Sequence, residues 1–269
     1  TRLPAGAVIY LGWDGQDAHQ KAFEKTAAYE ALYRTGLMDI FTKVVTHIAQ
    51  QAGNDNAARD LLSKTYHKVY GKGLSLAVSI EAGAGPPKPQ VTLVLHEGAD
   101  LEASLSRAVG DALGRELTFG QKIINGRKVT RAVIPAPAPF EIEIGWWKEG
   151  KHLVIAGGGD AISAAIEVAT GKRPNITTNP LWKKYRTGTK DFELSTISWF
   201  DLGALKKMFG QMPIPAPGAK RGLTVNKVLQ TLGLNNVGAI VSRAGYRGRA
   251  LWSTTTLEAP GERKGLLAF

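Results

Sequence analysis

Two hydrophobic patterns alternate along this chain. Short apolar runs rich in β-branched and aromatic residues predict strands, and segments whose apolar residues return every three or four positions predict amphipathic helices. Residues 7–13 read as a strand stopped by Asp14-Gly15, with Asp17 placed to cap the helical region after it. Leu37, Ile40, Phe41, Val44, Val45 and Ile48 then form an i, i+3, i+4, i+7 stripe, the kind of face a helix ordinarily turns toward a core. Gly53 ends that helix, and Asn54 or Asp55 caps a second one that turns Leu61, Leu62, Tyr66 and Val69 inward.

Residues 74–80 and 91–96 read as paired strands separated by a loop, Gly83-Ala84-Gly85-Pro86-Pro87-Lys88-Pro89, that no regular element tolerates. A helix is expected from about Asp100, with Leu101, Leu105, Ala108, Val109 and Ala112 on one face. Asn125-Gly126 supplies the two positive φ angles of a type I′ hairpin turn. Pro135-Ala136-Pro137-Ala138-Pro139 reads as a stiff, extended connector. Beyond it come a hairpin (142–147 with 152–156), a helix at 161–169, a strand at 192–200 and a short helix at Asp201. A Pro-rich loop at 212–218, a helix through Val225, Val228, Leu229 and Leu232 closed by Gly233, and a hairpin around Gly248 complete the pattern.

Hairpins followed by helices, rather than strict βαβ alternation, predict an α+β fold of mainly antiparallel sheets with helices packed on one face. Leu93-Val94-Leu95-His96-Glu97-Gly98-Ala99-Asp100 aligns with Leu153-Val154-Ile155-Ala156-Gly157-Gly158-Gly159-Asp160 at a constant offset of 60. In each, a second hairpin strand leads through a Gly-containing turn to an Asp-capped helix. The expectation is a single domain, 1–269, with pseudo-repeated halves 1–134 and 140–269 joined by the Pro/Ala connector.

Composition narrows the functional classes. The chain has 269 residues, 43% of them hydrophobic and 21% charged. A chain of this size buries roughly 75% of its unfolded surface. Cysteine is absent, which removes disulfides, thiolate catalysis, zinc-thiolate sites and iron–sulfur clusters. No apolar run reaches the length of a membrane span. A start at Thr1 without Met fits a cleaved export signal or a start within a longer chain. The net charge of +11 attracts polyanions: nucleic acid, anionic lipid or acidic envelope polymers. The basic pairs Lys183-Lys184, Lys206-Lys207, Lys220-Arg221 and Arg263-Lys264 are scattered, which equally suits a solubilised surface, and no zinc-finger spacing or RNA-binding aromatic signature accompanies them. Nucleic acid is therefore disfavoured as a partner, and a protein or an anionic envelope polymer is favoured.

Candidate chemistry is sparse. Gly157-Gly158-Gly159 lies between a strand and a helix, where phosphate-binding loops sit. Ile162 stands where a dinucleotide fingerprint needs its third glycine, no Walker motif occurs, and Asp160 would repel phosphate. A tight turn with an Asp N-cap explains the segment more simply, and no cofactor is implied. Asp14, Asp17 and His19 are a compact set of metal-ligand types in no recognised spacing; helix capping accounts for the acids. Glu141 and Glu143 alternate on one strand face, where two carboxylates can act as an acid–base pair. Trp146 and Trp147 just beyond offer platforms for sugar rings. That set is the best hydrolase argument in the chain. The histidines complete no Gly-x-Ser-x-Gly elbow or His-Glu-x-x-His motif.

The opening Leu3-Pro4-Ala5-Gly6 and its apolar strand to Trp13 resemble a family of uncharacterised exported bacterial proteins of planctomycete type. Gly73-Leu74-Ser75-Leu76-Ala77-Val78, Val91-Thr92-Leu93-Val94-Leu95, Leu232-Gly233-Leu234-Asn235-Asn236-Val237, Tyr246-Arg247-Gly248 and Lys264-Gly265-Leu266-Leu267 are similar to it as well. The resemblance implies export, an α+β fold and a chain truncated at Ala268-Phe269, and it assigns no catalytic or binding residue. The expected function is that of a non-enzymatic exported or cell-envelope protein that binds a partner or joins a surface assembly. The alternatives are a hydrolase of an envelope polymer and a polyanion binder.

Overall fold

The computed structural model describes residues 2–51, 56–81, 87–113, 118–134, 142–186, 191–213 and 223–260. Its strands are β1 (Ile9–Trp13), β2 (Leu74–Glu81), β3 (Lys88–Leu95), β4 (Thr118–Ile124), β5 (Arg127–Ile134), β6 (Ile142–Glu149), β7 (His152–Gly157), β8 (Glu193–Phe200), β9 (Ala239–Arg247) and β10 (Ala250–Glu258). All ten join one antiparallel sheet in the order β10-β9-β8-β1-β2-β3-β7-β6-β5-β4. The helices are α1 (Gln20–Phe23), α2 (Ala27–Tyr29), α3 (Leu37–Gln51), α4 (Asn56–Lys72), α5 (Glu102–Leu113), α6 (Ala161–Ala169), α7 (Pro180–Arg186), α8 (Leu202–Phe209) and α9 (Val225–Thr231). The α+β class holds.

Period-two alternation gives the sheet two apolar faces, and helices cover both, not one. Tyr10, Ala77, Val94, Val154 and Trp147 point to one face and pack with Ala161, Ile162, Ala165 and Ile166 of α6 and Tyr185 of α7. Leu95, Leu153, Ala132 and Trp146 point to the other, against Val69 of α4 and Leu105 and Val109 of α5. Trp146 and Trp147, adjacent on β6, thus each enter a different core. Their indole N–H groups donate to Ser106 Oγ (2.9 Å) and Glu149 Oε2 (3.2 Å), so burial leaves neither donor unpaired.

The local turn chemistry is as the sequence predicts at several junctions. Asn125 (φ 48°) and Gly126 (φ 78°) turn β4 into β5. Asp201 accepts from the Ala204 amide and caps α8; at α9 Thr224, outside the expected caps, accepts from the Lys227 amide. Other predicted caps differ. Asp17 lies inside a 3-10 turn, Asp17–His19, rather than before it, and Asp160 occupies the N-cap position of α6 without accepting a hydrogen bond there. Asp100 likewise sits within a 3-10 turn, Ala99–Leu101, and meets Lys68 at 3.1 Å. In all three cases a short 3-10 or glycine turn already satisfies the first amides. Asn54, Asp55 and the 135–139 connector lie outside the described residues, as does most of the two other Pro-rich loops.

The aligned segments around β3 and β7 are direct neighbours, with Val94 opposite Val154 and Leu95 opposite Leu153. A twofold axis relating two adjacent antiparallel strands would keep both following helices on one side of the sheet. Instead α5 covers one face and α6 the other, so the likeness of the two segments ends at the turn after the strand. The two expected halves, 1–134 and 140–269, share the one sheet: β1 pairs with β8, and β3 with β7.

Candidate functional site

The apolar stripe of α3 faces outward. Leu37, Ile40, Phe41 and Val44 are between 48% and 58% exposed, and every described side chain of the helix through His47 except Met38 is exposed; those of Val45 and Ile48 lie outside the described residues. The main neighbours of α3 are the preceding π-helical turn, Glu30–Arg34, and α4, whose Leu62 is also exposed rather than inward. Thr42 and Thr46 occupy the opposite side, their hydroxyls donating to the carbonyls of Met38 and Thr42 one turn back. Tyrosines fasten the base of this arm. Tyr29 stacks on Tyr33 (4.8 Å), both meet Phe23 edge-on, and the hydroxyls of Tyr33 and Tyr70 lie 3.1 Å apart. The arm is therefore held at one end and bare along its apolar side.

The residues singled out in the sequence do not converge. Asp14 meets Arg186 (2.7 Å) and, at 3.4 Å, Nε2 of His19, whose Nδ1 lies 2.6 Å from Glu193. Asp17 turns instead to Lys72 (3.0 Å). Among the described residues no group of three or more His, Asp or Glu could hold a metal ion. Glu143 is ion-paired with Arg131, and Glu141 lies outside the described residues. Trp146 and Trp147 are 2% and 1% exposed, so neither indole offers a face to a sugar. Gly158 (φ 79°) and Gly159 (φ 47°) form the tight turn; a Cβ on Gly158 would overlap the Pro89 carbonyl, so the glycine serves close backbone approach.

What the sequence does not reveal is a polar cluster at one end of the central strands. His96 follows β3 and His152 opens β7, with ring centroids 5.5 Å apart. His96 Nε2 lies 3.0 Å from Ser75 Oγ on β2, and His152 Nδ1 accepts from the Glu97 amide at 3.3 Å. Glu97 adopts φ 53°, a left-handed conformation that costs a non-glycine residue about 1 kcal/mol or more, and its carboxylate bridges Lys72 and Lys151. His96, Glu97, His152, Lys72 and Lys151, with Asp14 and Asp17, line a cavity of about 420 Å³; Ser75 is not among its lining residues. Burial pushes His96 below its ordinary value. Burial and the neighbouring Arg2, His96 and Lys151 push His152 down to about 4. Both imidazoles are accordingly neutral at pH 7. Ser75 and His96 have the spacing of a nucleophile and its base, yet among the described residues no carboxylate bonds to His96 Nδ1. Residues 75, 96 and 152 come from three strands, a juxtaposition without any local motif.

Two of the four basic pairs lie within the described residues, and a lysine of each is engaged by the protein itself. Lys184 donates to Glu258, and Lys206 donates to the carbonyls of Asn235 and Val237 at 2.6 and 2.7 Å. Lys220, Arg221, Arg263 and Lys264 lie outside the described residues. No helix among the described residues is long and apolar enough to cross a membrane. In comparison with known proteins, no family model, curated protein or solved structure matches the chain.

Proposed function

We propose that this protein acts by binding rather than by catalysis, and that α3 is its contact element. One observation carries the reading: four large apolar side chains at i, i+3, i+4 and i+7 on α3 stand about half exposed on a helix whose main neighbours are the turn before it and α4. Single exposed apolar residues need no explanation, whereas a contiguous rimmed patch marks an interaction surface. An exported or envelope location goes with this proposal, supported by the resemblance of the opening strand and closing hairpin to exported bacterial proteins. The hydrolase alternative is favoured only by the Ser75–His96 spacing, since Glu143, the one described carboxylate of the Glu141 and Glu143 pair, is engaged by Arg131.

Because the chain has no cysteine, a single one can carry a reporter. Val44→Cys labelled with a polarity-sensitive dye, against Thr46→Cys on the polar side, is titrated with the protein itself and with envelope protein and lipid fractions. The expected result is a saturable blue shift at position 44 and not at 46 with one of these. A dye at 44 that stays fully solvated throughout rules the proposal out.

A further inference from the structure

We infer that the surface α3 meets is an anionic lipid membrane, on which the helix lies flat with its stripe in the interface; this rests on α3 being a binding element. The stripe is one helix wide. The four described half-exposed side chains offer roughly 400 Å², within the range of a monomer's largest and often functional patch, and short of the roughly 800 Å² per partner of a stable protein interface. A lipid interface sets no such threshold, because insertion scales with whatever apolar area the helix buries, supplemented by charge.

The rest of the arm fits that geometry. The described side chains of α3 through His47 are exposed on its flanks as well as along the stripe, Met38 excepted. Its polar side carries Asp39, Thr42, Lys43 and Thr46, and Tyr33, 41% exposed, precedes the stripe with its hydroxyl turned to Tyr70. Charge chooses the lipid. The molecule carries +11, with Lys43 exposed on α3 and Arg34, exposed but ion-paired with Glu30, in the turn before it, so a negative surface concentrates it and apolar contact then holds it.

The test is vesicle co-sedimentation of the full chain with phosphatidylcholine alone and with added phosphatidylglycerol, comparing wild type with Ile40→Asp/Phe41→Asp. Light scattering of both proteins over a concentration series is recorded in parallel. Wild type should favour the anionic vesicles, release partly as salt is raised, and bind at least about tenfold more tightly than the variant. The dye on Val44→Cys, which needs no change at 40 or 41, should shift blue on the same vesicles. Equal binding by wild type and variant, or none by wild type, overturns the lipid assignment. If vesicles fail and the variant instead abolishes a concentration-dependent dimer, the occupant is a second copy and α3 remains a binding element. If neither vesicles nor self-association respond and the dye stays solvated in every fraction, both proposals fall together.

Discussion

His96 and His152 show how one residue type acquires its character from strand register. Neither has a chemical motif around it, yet β3–β7 pairing sets them side by side beneath Arg2 and Lys151. With folded values below the ordinary 6.5 of an unfolded histidine, the unfolded chain binds more protons across that interval, so stability rises with pH there. The contribution is complete above about pH 6.5. It is lost as pH falls toward about 4, where His152 titrates. The carboxylates of Glu97, held low by Lys151 and Lys72, and of Glu149, held low by Arg127, act in a separate window below about 4.5. Melting temperature measured from pH 7 to 4.5 should therefore fall, and His152→Gln should flatten the decline. An unchanged slope in that variant would place the acid sensitivity elsewhere.

At the scale of elements, α3 and α6 start from the same kind of sequence and end oppositely. Both carry apolar residues at helical spacing. The α6 stripe is sealed against Trp147, Val129 and Val154, and glycine at 145 leaves room for Ile162. The α3 stripe has no such cover: the main neighbours of α3 are the turn before it and α4, and Leu37, Ile40, Phe41 and Val44 stay about half exposed. Most helical stability comes from packing an apolar face, so α3 should open locally at small cost. Amide exchange across 37–47 should be at least about a hundredfold faster than across β2, which lies between β1 and β3. Equal protection would mean that α3 is held as firmly as the sheet.

For the whole molecule the governing fact is one sheet woven from both ends of the chain. In the central order β8-β1-β2-β3-β7, three strands from before the Pro/Ala connector are flanked on both sides by strands from after it. Each fragment alone would expose long unpaired edges and half of each core. Residues 1–134 and 140–269 expressed separately should give no cooperative unfolding transition, whereas the intact chain should melt in one. A cooperative transition in either fragment by calorimetry would show that the halves are autonomous after all.

Much of this was legible in the amino-acid order, because it is decided within a few residues. The I′ turn at Asn125-Gly126, the cap at Asp201, the hairpins, and the helix at 161–169 all follow from short-range φ preferences, capping and periodicity. The α+β class follows from their order. Periodicity, however, records only that a face is apolar, never what lies opposite it. Hence the sequence left open that α3 points outward, that α5 and α6 cover opposite faces, and that Trp146 and Trp147 are core residues instead of platforms. The Ser75, His96 and His152 cluster was invisible for the same reason: its members are neighbours only through pairings across β2, β3 and β7, and strand pairing is fixed by the burial of both sheet faces at once.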